Sequence, residues 1–153
     1  MIQVKDVVKS FDGNVVLNHV SANFEDGKVN MIIGQSGSGK TVLMKSMIGL
    51  HQIDGGEIVF DTRAGQQNLA GMTEKEVRML HREVGMLFQG AALFDSMTVQ
   101  ENVMYPLEMF SDMTDDEMVA RARFCLERVN MPERAFGLMP SEISGGMQKR
   151  VAI

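Results

Sequence analysis

The sequence is poor in cysteine, and it lacks both a long apolar run and a block of basic residues. Its single cysteine, Cys125, has no second cysteine in the chain for a disulfide, which is typical of a reducing compartment. No apolar run is long enough to cross a bilayer, and the first ten residues lack the apolar core of a signal peptide. These absences exclude an internal disulfide and lead us to expect a cytosolic chain.

The net charge and the histidine content narrow the range of possible functions further. The net charge is −5 and there is no basic block, so we expect no general binding to nucleic acid. His19, His51 and His81 lie far apart, which makes a metal site built from protein side chains alone unexpected. The 153 residues predict one domain, or one domain with a small insert. The 15 methionines are interpreted as core packing rather than as an adaptable binding surface.

The most informative stretch is GQSGSGKT, residues 34–41. It matches the phosphate-binding pattern G-x-x-x-x-G-K-[ST], with Gly34, Gly39, Lys40 and Thr41 in the fixed positions. Small residues let the backbone wrap closely round a triphosphate and offer it a row of N–H donors. A helix that opens at about Gly39 adds the positive end of its dipole. The pattern predicts that Lys40 binds the β- and γ-phosphates and that the Thr41 hydroxyl is a ligand of Mg²⁺.

The context of this stretch separates a phosphate loop from a Gly/Ser-rich turn that matches by chance. Residues 29–33 form a short apolar run that predicts a buried strand directly before the loop. The residues directly after it predict a mostly apolar helix, with Val42, Leu43, Met44, Met47, Ile48 and Leu50 as its apolar members. Strand, glycine loop and helix is the order that phosphate binding requires, so the context favours the phosphate loop.

Turn signals and short apolar runs predict other elements. The turn residues Asp12 and Gly13 separate an extended opening segment from a returning strand over residues 15–24, which together predict a hairpin. Residues 57–60 predict a short strand, whereas residues 62–71 are polar, lack a period and predict a loop. A second apolar strand is predicted at residues 84–88. It ends in Gln89, where open α/β sheets bind ligands, although a lone glutamine there is usually a turn residue.

Three Thr-x-x-Glu capping boxes predict the starts of three helices. The paired residues are Thr73 with Glu76, Thr98 with Glu101, and Thr114 with Glu117. Because proline lacks an N–H donor, we expect Pro106 to bend or end the second of these helices and Pro132 to stop the third.

The last segment of the chain predicts a second anion site. Ser144 is suited to cap a helix, and Gly145 and Gly146 expose the backbone at the helix start. Lys149 and Arg150 add positive charge further along. Two sites for a triphosphate in one chain suggest that two copies share nucleotide head to tail.

Together these motifs resemble the ATP-binding subunits of ABC transporters over essentially the whole chain. GQSGSGKT is similar to their Walker A loop, LFQ ending at Gln89 to their Q-loop, and ISGGMQ to their signature motif. The resemblance implies an α/β fold: a P-loop NTPase (RecA-like) core with an N-terminal antiparallel β subdomain and a helical signature subdomain. Residues 1–153 would form one partial ATP-binding domain, with the β subdomain and core in residues 1–90 and the helical subdomain in residues 91–153.

The resemblance also implies which residues bind ATP and Mg²⁺. In one copy the nucleotide-binding residues would be Phe11, Gly34, Gln35, Ser36, Gly37, Ser38, Gly39, Lys40, Thr41 and Val42, and in the partner copy Ser144, Gly145, Gly146, Met147 and Gln148. Lys40 and Gln89 would be catalytic, and Thr41 and Gln89 would hold Mg²⁺. Phe11 would stack on adenine, and a packed hairpin residue is the alternative of equal weight.

Residues 86–107 and 138–147 are similar to the Mla-type phospholipid transporters, which are linked to organic-solvent tolerance. This narrower resemblance implies a homodimer of ATP-binding subunits, an integral membrane permease contacted through residues 89–110, and an MCE lipid-binding protein. The protein would be peripheral, at the cytoplasmic face of the inner membrane. The alternatives are the ATPase of an importer for amino acids or other small solutes, a soluble non-transport ABC-type ATPase, and a nucleotide-binding module that does not turn over ATP.

The sequence stops at Ile153, before the regions where this family carries a Walker B strand, a catalytic glutamate, a D-loop and a switch histidine. The cassette is therefore expected to be incomplete at the C-terminus. We expect ATP hydrolysis from the full-length protein, whereas residues 1–153 alone should bind ATP weakly and hydrolyse it no faster than background. The resemblance places the missing strand beside residues 29–33, which predicts unpaired apolar strand edges.

Overall fold

The structure is a computed structural model that describes residues 1–62 and 65–153. It divides into two compact units, Met1–Val84 and Gly85–Ile153. The elements of the first unit are β1 (Ile2–Phe11), β2 (Asn14–Phe24), α1 (Lys40–Met47), β3 (Gly55–Thr62), β4 (Gly65–Asn68) and α2 (Glu74–Glu83). The helices of the second unit are α3 (Val99–Phe110), α4 (Asp115–Arg128) and α5 (Gly145–Val151). The predicted subdomain boundary between residues 90 and 91 stays a prediction.

The first unit is built on an antiparallel sheet with the strand order β2-β1-β3-β4. β1 and β2 form the predicted hairpin, in which Ile2 pairs with Phe24 and Phe11 pairs with Asn14. The two turn residues, Asp12 and Gly13, have φ angles of 48° and 80°. A two-residue hairpin loop of this kind needs positive φ at both positions, which Asp-Gly supplies at little steric cost.

The polar stretch that was expected to be a loop contains an edge strand. β3 runs through residue 62, residues 65–68 form β4, and residues 69–71 form a 3-10 turn. The loop prediction is therefore wrong for these residues, and its residues 63 and 64 lie outside the described part of the chain. β4 is an edge strand and is hydrogen-bonded on one side only, to β3. Because backbone hydrogen bonds hold it, it needs no alternation of apolar side chains.

The core of the first unit packs α1 and α2 against the sheet. Leu43 and Met47 lie four residues apart on α1 and therefore share one face of that helix. The buried cluster consists of Val4, Val7, Leu17, Leu43, Met47, Ile58, Phe60 and Leu80. This packing places the start of α1, and with it the glycine loop, beside the β1–β2 hairpin.

Two predicted strands are absent from the sheets that the described residues form. Residues 29–33 and 84–88 make no strand ladder. Val29, Met31 and Ile33 are 93%, 75% and 83% exposed, although they were predicted to be buried. A strand needs a hydrogen-bonded neighbour, and an apolar run alone cannot supply one. The strand predictions for both runs are therefore wrong for this chain.

The second unit is helical and has its own core. The buried cluster consists of Val99, Leu126, Met131, Ala135, Phe136, Ile143 and Val151. All three predicted capping boxes are present, at the starts of α2, α3 and α4. α3 continues through Pro106 to Phe110, so the proline does not end the helix. α4 ends at Arg128, before Pro132. No helix among the described residues is long and apolar enough to span a bilayer.

Candidate nucleotide-binding site

The glycine loop keeps two positions that only glycine fills without strain. Gly37 and Gly39 have φ angles of 79° and 87°, a region that residues with a side chain rarely adopt. A Cβ atom on Gly39 would also lie 3.1 Å from the carbonyl oxygen of Val16 and 3.1 Å from the Leu17 side chain. Gly39, at the start of α1, is therefore packed closely against β2.

The start of α1 offers unpaired donors and an uncompensated dipole. Gly39 precedes the helix and provides no side-chain cap, so the first N–H groups of α1 have no intrahelical acceptor. The first turn of α1 also contains no acidic residue. In contrast to the acidic first turns of α2, α3 and α4, this helix start keeps its partial positive charge for an anion.

Lys40 lies folded over the loop that precedes it. Its ammonium Nζ donates to the carbonyl oxygen of Gly34 at 2.8 Å and to that of Gln35 at 2.6 Å. A Cβ on Gly34 would lie 2.8 Å from Ser38 Oγ, so the loop is closely wound at both of its fixed glycines. The structure thus brings Lys40 together with the loop backbone, and its binding to the β- and γ-phosphates stays a prediction.

These residues fit a polyphosphate. Residues 34–38 are exposed, and the ammonium of Lys40 and the free N–H groups of α1 lie at one end of them. Thr41 is exposed on the first turn of α1, where its hydroxyl is available as a metal ligand. No group of three His, Cys, Asp or Glu side chains that could hold a metal is found in residues 1–62 and 65–153.

Phe11, which the resemblance places against adenine, ends β1 with its ring both packed and accessible. The ring centroid lies 5.3 Å from that of His51, at an interplanar angle of 78°, and Lys9 Nζ lies 5.1 Å from it. Phe11 is nevertheless 38% exposed. The adenine-stacking and packed-hairpin interpretations of Phe11 both stay predictions.

Asp54 ties Lys9 in place and was not predicted from the sequence. Lys9 Nζ donates to Asp54 Oδ1 at 2.9 Å, and the Ser10 N–H donates to Asp54 Oδ2 at 2.6 Å. The bond from Lys9, followed by that from Ser10, lowers the pKa of the Asp54 carboxyl. No local sequence signal indicates this contact, because the partners lie about 45 residues apart in the chain.

The other predicted site residues belong to the second unit. Gln89 is exposed and lies in a turn, and it is followed by Ala91 and Ala92 with φ angles of 61° and 54°. Two successive alanines in the left-handed region cost on the order of 1–2 kcal/mol each. Such strain is found most often at functional loops. The sequence does not indicate this strain, because alanine gives no turn signal.

The signature segment forms a short capped helix. Ser144 Oγ accepts from the Met147 N–H at 3.3 Å at the start of α5. Gly145 and Gly146 are exposed, and a Cβ on either would meet no atom within 4 Å. Gln148 Nε2 donates to the Pro140 carbonyl oxygen at 2.8 Å, so its amide holds α5 against a 3-10 turn, Pro140–Glu142. The open face of this segment is therefore its glycine backbone.

The motifs and the fold agree with one protein family. A model of the ABC transporter family matches residues 17–153. The chain belongs to this family. The predictions of an ABC transporter ATP-binding domain and of a P-loop cassette fold with an antiparallel β subdomain are thereby confirmed.

Several curated proteins of the family are similar to the whole chain. The methionine import ATP-binding protein MetN of Rhizobium johnstonii is 34% identical over 153 residues, 100% of this chain and 41% of its own length. The glutamine transport ATP-binding protein GlnQ of Escherichia coli is 37% identical over 100% of this chain and 61% of its length. The Arabidopsis thaliana protein trigalactosyldiacylglycerol 3, chloroplastic, is 36% identical over 100% of this chain and 43% of its length. The chain thus spans less than two thirds of these ABC relatives.

Solved ABC cassettes share the fold. The dimeric ATP-binding cassette MJ0796 bound to ADP and Pi superposes with a TM-score of 0.86 at 30% identity, over 99% of this chain and 67% of that one. The cbiO1 subunit of Clostridium perfringens gives a TM-score of 0.80 at 25% identity, over 99% of this chain and 58% of that one. The predicted kinship to Mla-type transporters in particular is not what these comparisons support, because MetN and GlnQ are named for import.

Proposed function

We propose that this chain is the nucleotide-binding part of a subunit that powers an ABC importer for an amino acid or a similarly small polar solute. The observation that carries ATP binding is the wound glycine loop, in which Lys40 and the uncapped start of α1 converge. The import assignment is supported by similarity to ATP-binding proteins named for methionine, glutamine and spermidine/putrescine import.

The chain's own residues divide the work at the nucleotide. The backbone N–H groups of residues 34–41 and the Lys40 ammonium would bind the phosphates, and the Thr41 hydroxyl would join the shell of Mg²⁺. Bound Mg²⁺ would offset the charge of the phosphate oxygens. Gln89 would orient the attacking water, and the exposed backbone of Gly145 and Gly146 would contact the γ-phosphate held by a second copy. ATP would then hold two subunits together until hydrolysis releases them.

A permease would contact the second unit. Phe94, Met109 and Phe110 are 46%, 58% and 62% exposed, within the predicted contact region 89–110. A cleft of about 560 Å³ in the same unit is lined by apolar residues that include Phe88, Leu93 and Pro106. Exposed apolar surface of this kind is typical of protein contact sites. The subunit would then be peripheral, at the cytoplasmic face of the membrane.

Replacing Lys40 tests the proposed binding site. In the full-length protein, Lys40→Ala should weaken ATP binding about 10-fold or more, because a charge-assisted bond to phosphate is lost. Lys45→Ala is the matched control, since Lys45 lies in the last turn of the same helix. Isothermal titration calorimetry with Mg-ATP gives both affinities. Equal affinities for the two variants would refute the site.

Phospholipid transport is the second candidate function. It is supported by the similarity to the Arabidopsis protein named for a galactolipid and by the Mla-like pattern of residues 86–107 and 138–147. Affinity purification of the full-length protein with its permease from detergent-solubilised membranes separates the candidates. An accompanying MCE lipid-binding protein would establish the lipid transporter, whereas a small-solute-binding protein would establish the importer.

A further inference from the structure

We propose that Asp54 is a positioning residue for recognition of the nucleotide base, because it fixes Phe11 and holds the Lys9 cation beside the Phe11 ring. The proposal rests on the proposed function, which takes ATP as the ligand, and on the prediction that Phe11 stacks on its base. The residues that carry it are close together in the first unit, at the end of β1 and in the segment before β3.

Asp54 hydrogen-bonds to β1 beyond the last residue of β1 that pairs with β3. β1 pairs with β3 as far as Val8, which lies opposite Gly55, the first residue of β3. Beyond Val8 the Asp54 side chain takes the place of a strand: its Oδ2 accepts from the Ser10 N–H at 2.6 Å. The Asp54 N–H also donates to the Val8 carbonyl oxygen at 2.8 Å. Asp54 therefore fixes the three residues that lead directly to Phe11.

The same carboxylate fixes the cation beside the ring. The Lys9 side chain is only 14% exposed, which is low for a lysine, and its Nζ is bonded to Asp54 Oδ1 at 2.9 Å. That bond places Nζ 5.1 Å from the Phe11 ring centroid, within the range of a cation–π interaction. His51 contacts the ring in a T-shaped pair. Phe11 is thus held by Lys9 and His51, and 38% of it remains exposed for a base.

A fixed aromatic ring stacks better than a mobile one, because less side-chain freedom is lost on binding. Stacking on a phenyl ring does not distinguish one purine from another, since each base has a π-face. The phosphate loop binds a different part of the ligand. Asp54 should therefore affect binding of ATP and GTP alike and leave binding of inorganic tripolyphosphate unchanged.

The experiment compares Asp54→Asn with Asp6→Asn in the full-length protein. Asp6 is the matched control, because it lies on β1, the strand that ends at Phe11, and its carboxylate also has a hydrogen-bonded partner, His19 Nδ1 at 2.9 Å. Asp54→Asn should raise the Kd for ATP and for GTP roughly 5-fold, and should change the Kd for tripolyphosphate by less than about twofold. Asp6→Asn should change none of the three. Lys9→Met keeps the bond from the Ser10 N–H to Asp54. It should raise the Kd for ATP and for GTP by less than Asp54→Asn does, with no such change for tripolyphosphate.

A double-mutant cycle separates positioning from a general structural role. If Asp54 acts through Phe11, Asp54→Asn should have no further effect on ATP affinity in the Phe11→Leu background. An equal loss in both backgrounds, or a parallel loss of tripolyphosphate binding, would overturn the proposal. Failure of the proposed function is distinct: Lys40→Ala would then leave the affinities for both ATP and tripolyphosphate unchanged.

Discussion

Ser46 is a buried polar residue that lowers the stability of the fold. It lies on α1 and is completely buried, and its hydroxyl has no hydrogen-bond partner among the described protein atoms. Burial of an unpaired hydroxyl costs on the order of 1–3 kcal/mol. Nothing in the proposed nucleotide site uses this group, so its removal should be favourable.

Ser46→Ala should raise the free energy of unfolding by about 1 kcal/mol, because the unpaired hydroxyl is lost and alanine favours a helix. Ser111→Ala is the matched control with the opposite expected sign, since Ser111 Oγ donates to the Leu107 carbonyl oxygen at 2.7 Å. Urea unfolding of both variants and the parent gives the comparison. A loss of stability in Ser46→Ala would show that the hydroxyl has a partner.

Among the elements, α2, α3 and α4 share the same start. In each, a glutamate accepts from the backbone N–H of the capping threonine, at 2.7 Å for Glu76, 2.7 Å for Glu101 and 2.8 Å for Glu117. These bonds from the threonine N–H groups lower the pKa of all three glutamates. A lowered folded-state pKa stabilises the fold above the ordinary glutamate pKa, and this stabilisation is lost as the pH falls through the folded value.

Glu117→Gln should therefore destabilise the protein at pH 7, and the difference from the parent should shrink as the pH falls below about 4. Glu74→Gln is the control, because Glu74 lies in the first turn of α2 outside the capping box and its contact with Arg78 is long, at 3.7 Å. Urea midpoints at pH 7 and at low pH measure the effect. A difference that stays constant with pH would contradict the charge-based account.

Elements with local signals could be predicted, and elements that depend on distant neighbours could not. The Asp12–Gly13 hairpin and the three capping boxes are encoded within four residues, so they follow from the sequence. Residues 29–33 have the apolar run of a strand, yet they form no strand because they lack a hydrogen-bonded neighbouring strand among the described residues. β4 has the neighbour but lacks the apolar run. The candidate site divides in the same way: the phosphate loop is a local motif, whereas the contact of Lys9 with Asp54 depends on the tertiary fold.

For the molecule as a whole, the exposed run at residues 29–33 predicts self-association. Val29, Met31 and Ile33 are exposed at every second position, and the run belongs to no strand in the described part of the chain, so its backbone can pair with a second chain. Met31→Lys should reduce aggregation of residues 1–153 as concentration rises, and should change the free energy of unfolding by less than about 0.5 kcal/mol. Met79→Lys, at a 53% exposed site on α2, is the control. Light scattering that is equal in both variants would rule out this segment.

The lysine of the phosphate loop carries a further consequence. Because its ammonium is already bonded to two carbonyl oxygens of the loop, the proposed binding of a polyphosphate would replace these two hydrogen bonds rather than engage a free cation. The gain in binding free energy would be the difference between a hydrogen bond to a charged phosphate oxygen and one to a neutral carbonyl oxygen. The loop is held in its wound conformation by its own lysine, so its backbone would already be wound when a polyphosphate binds.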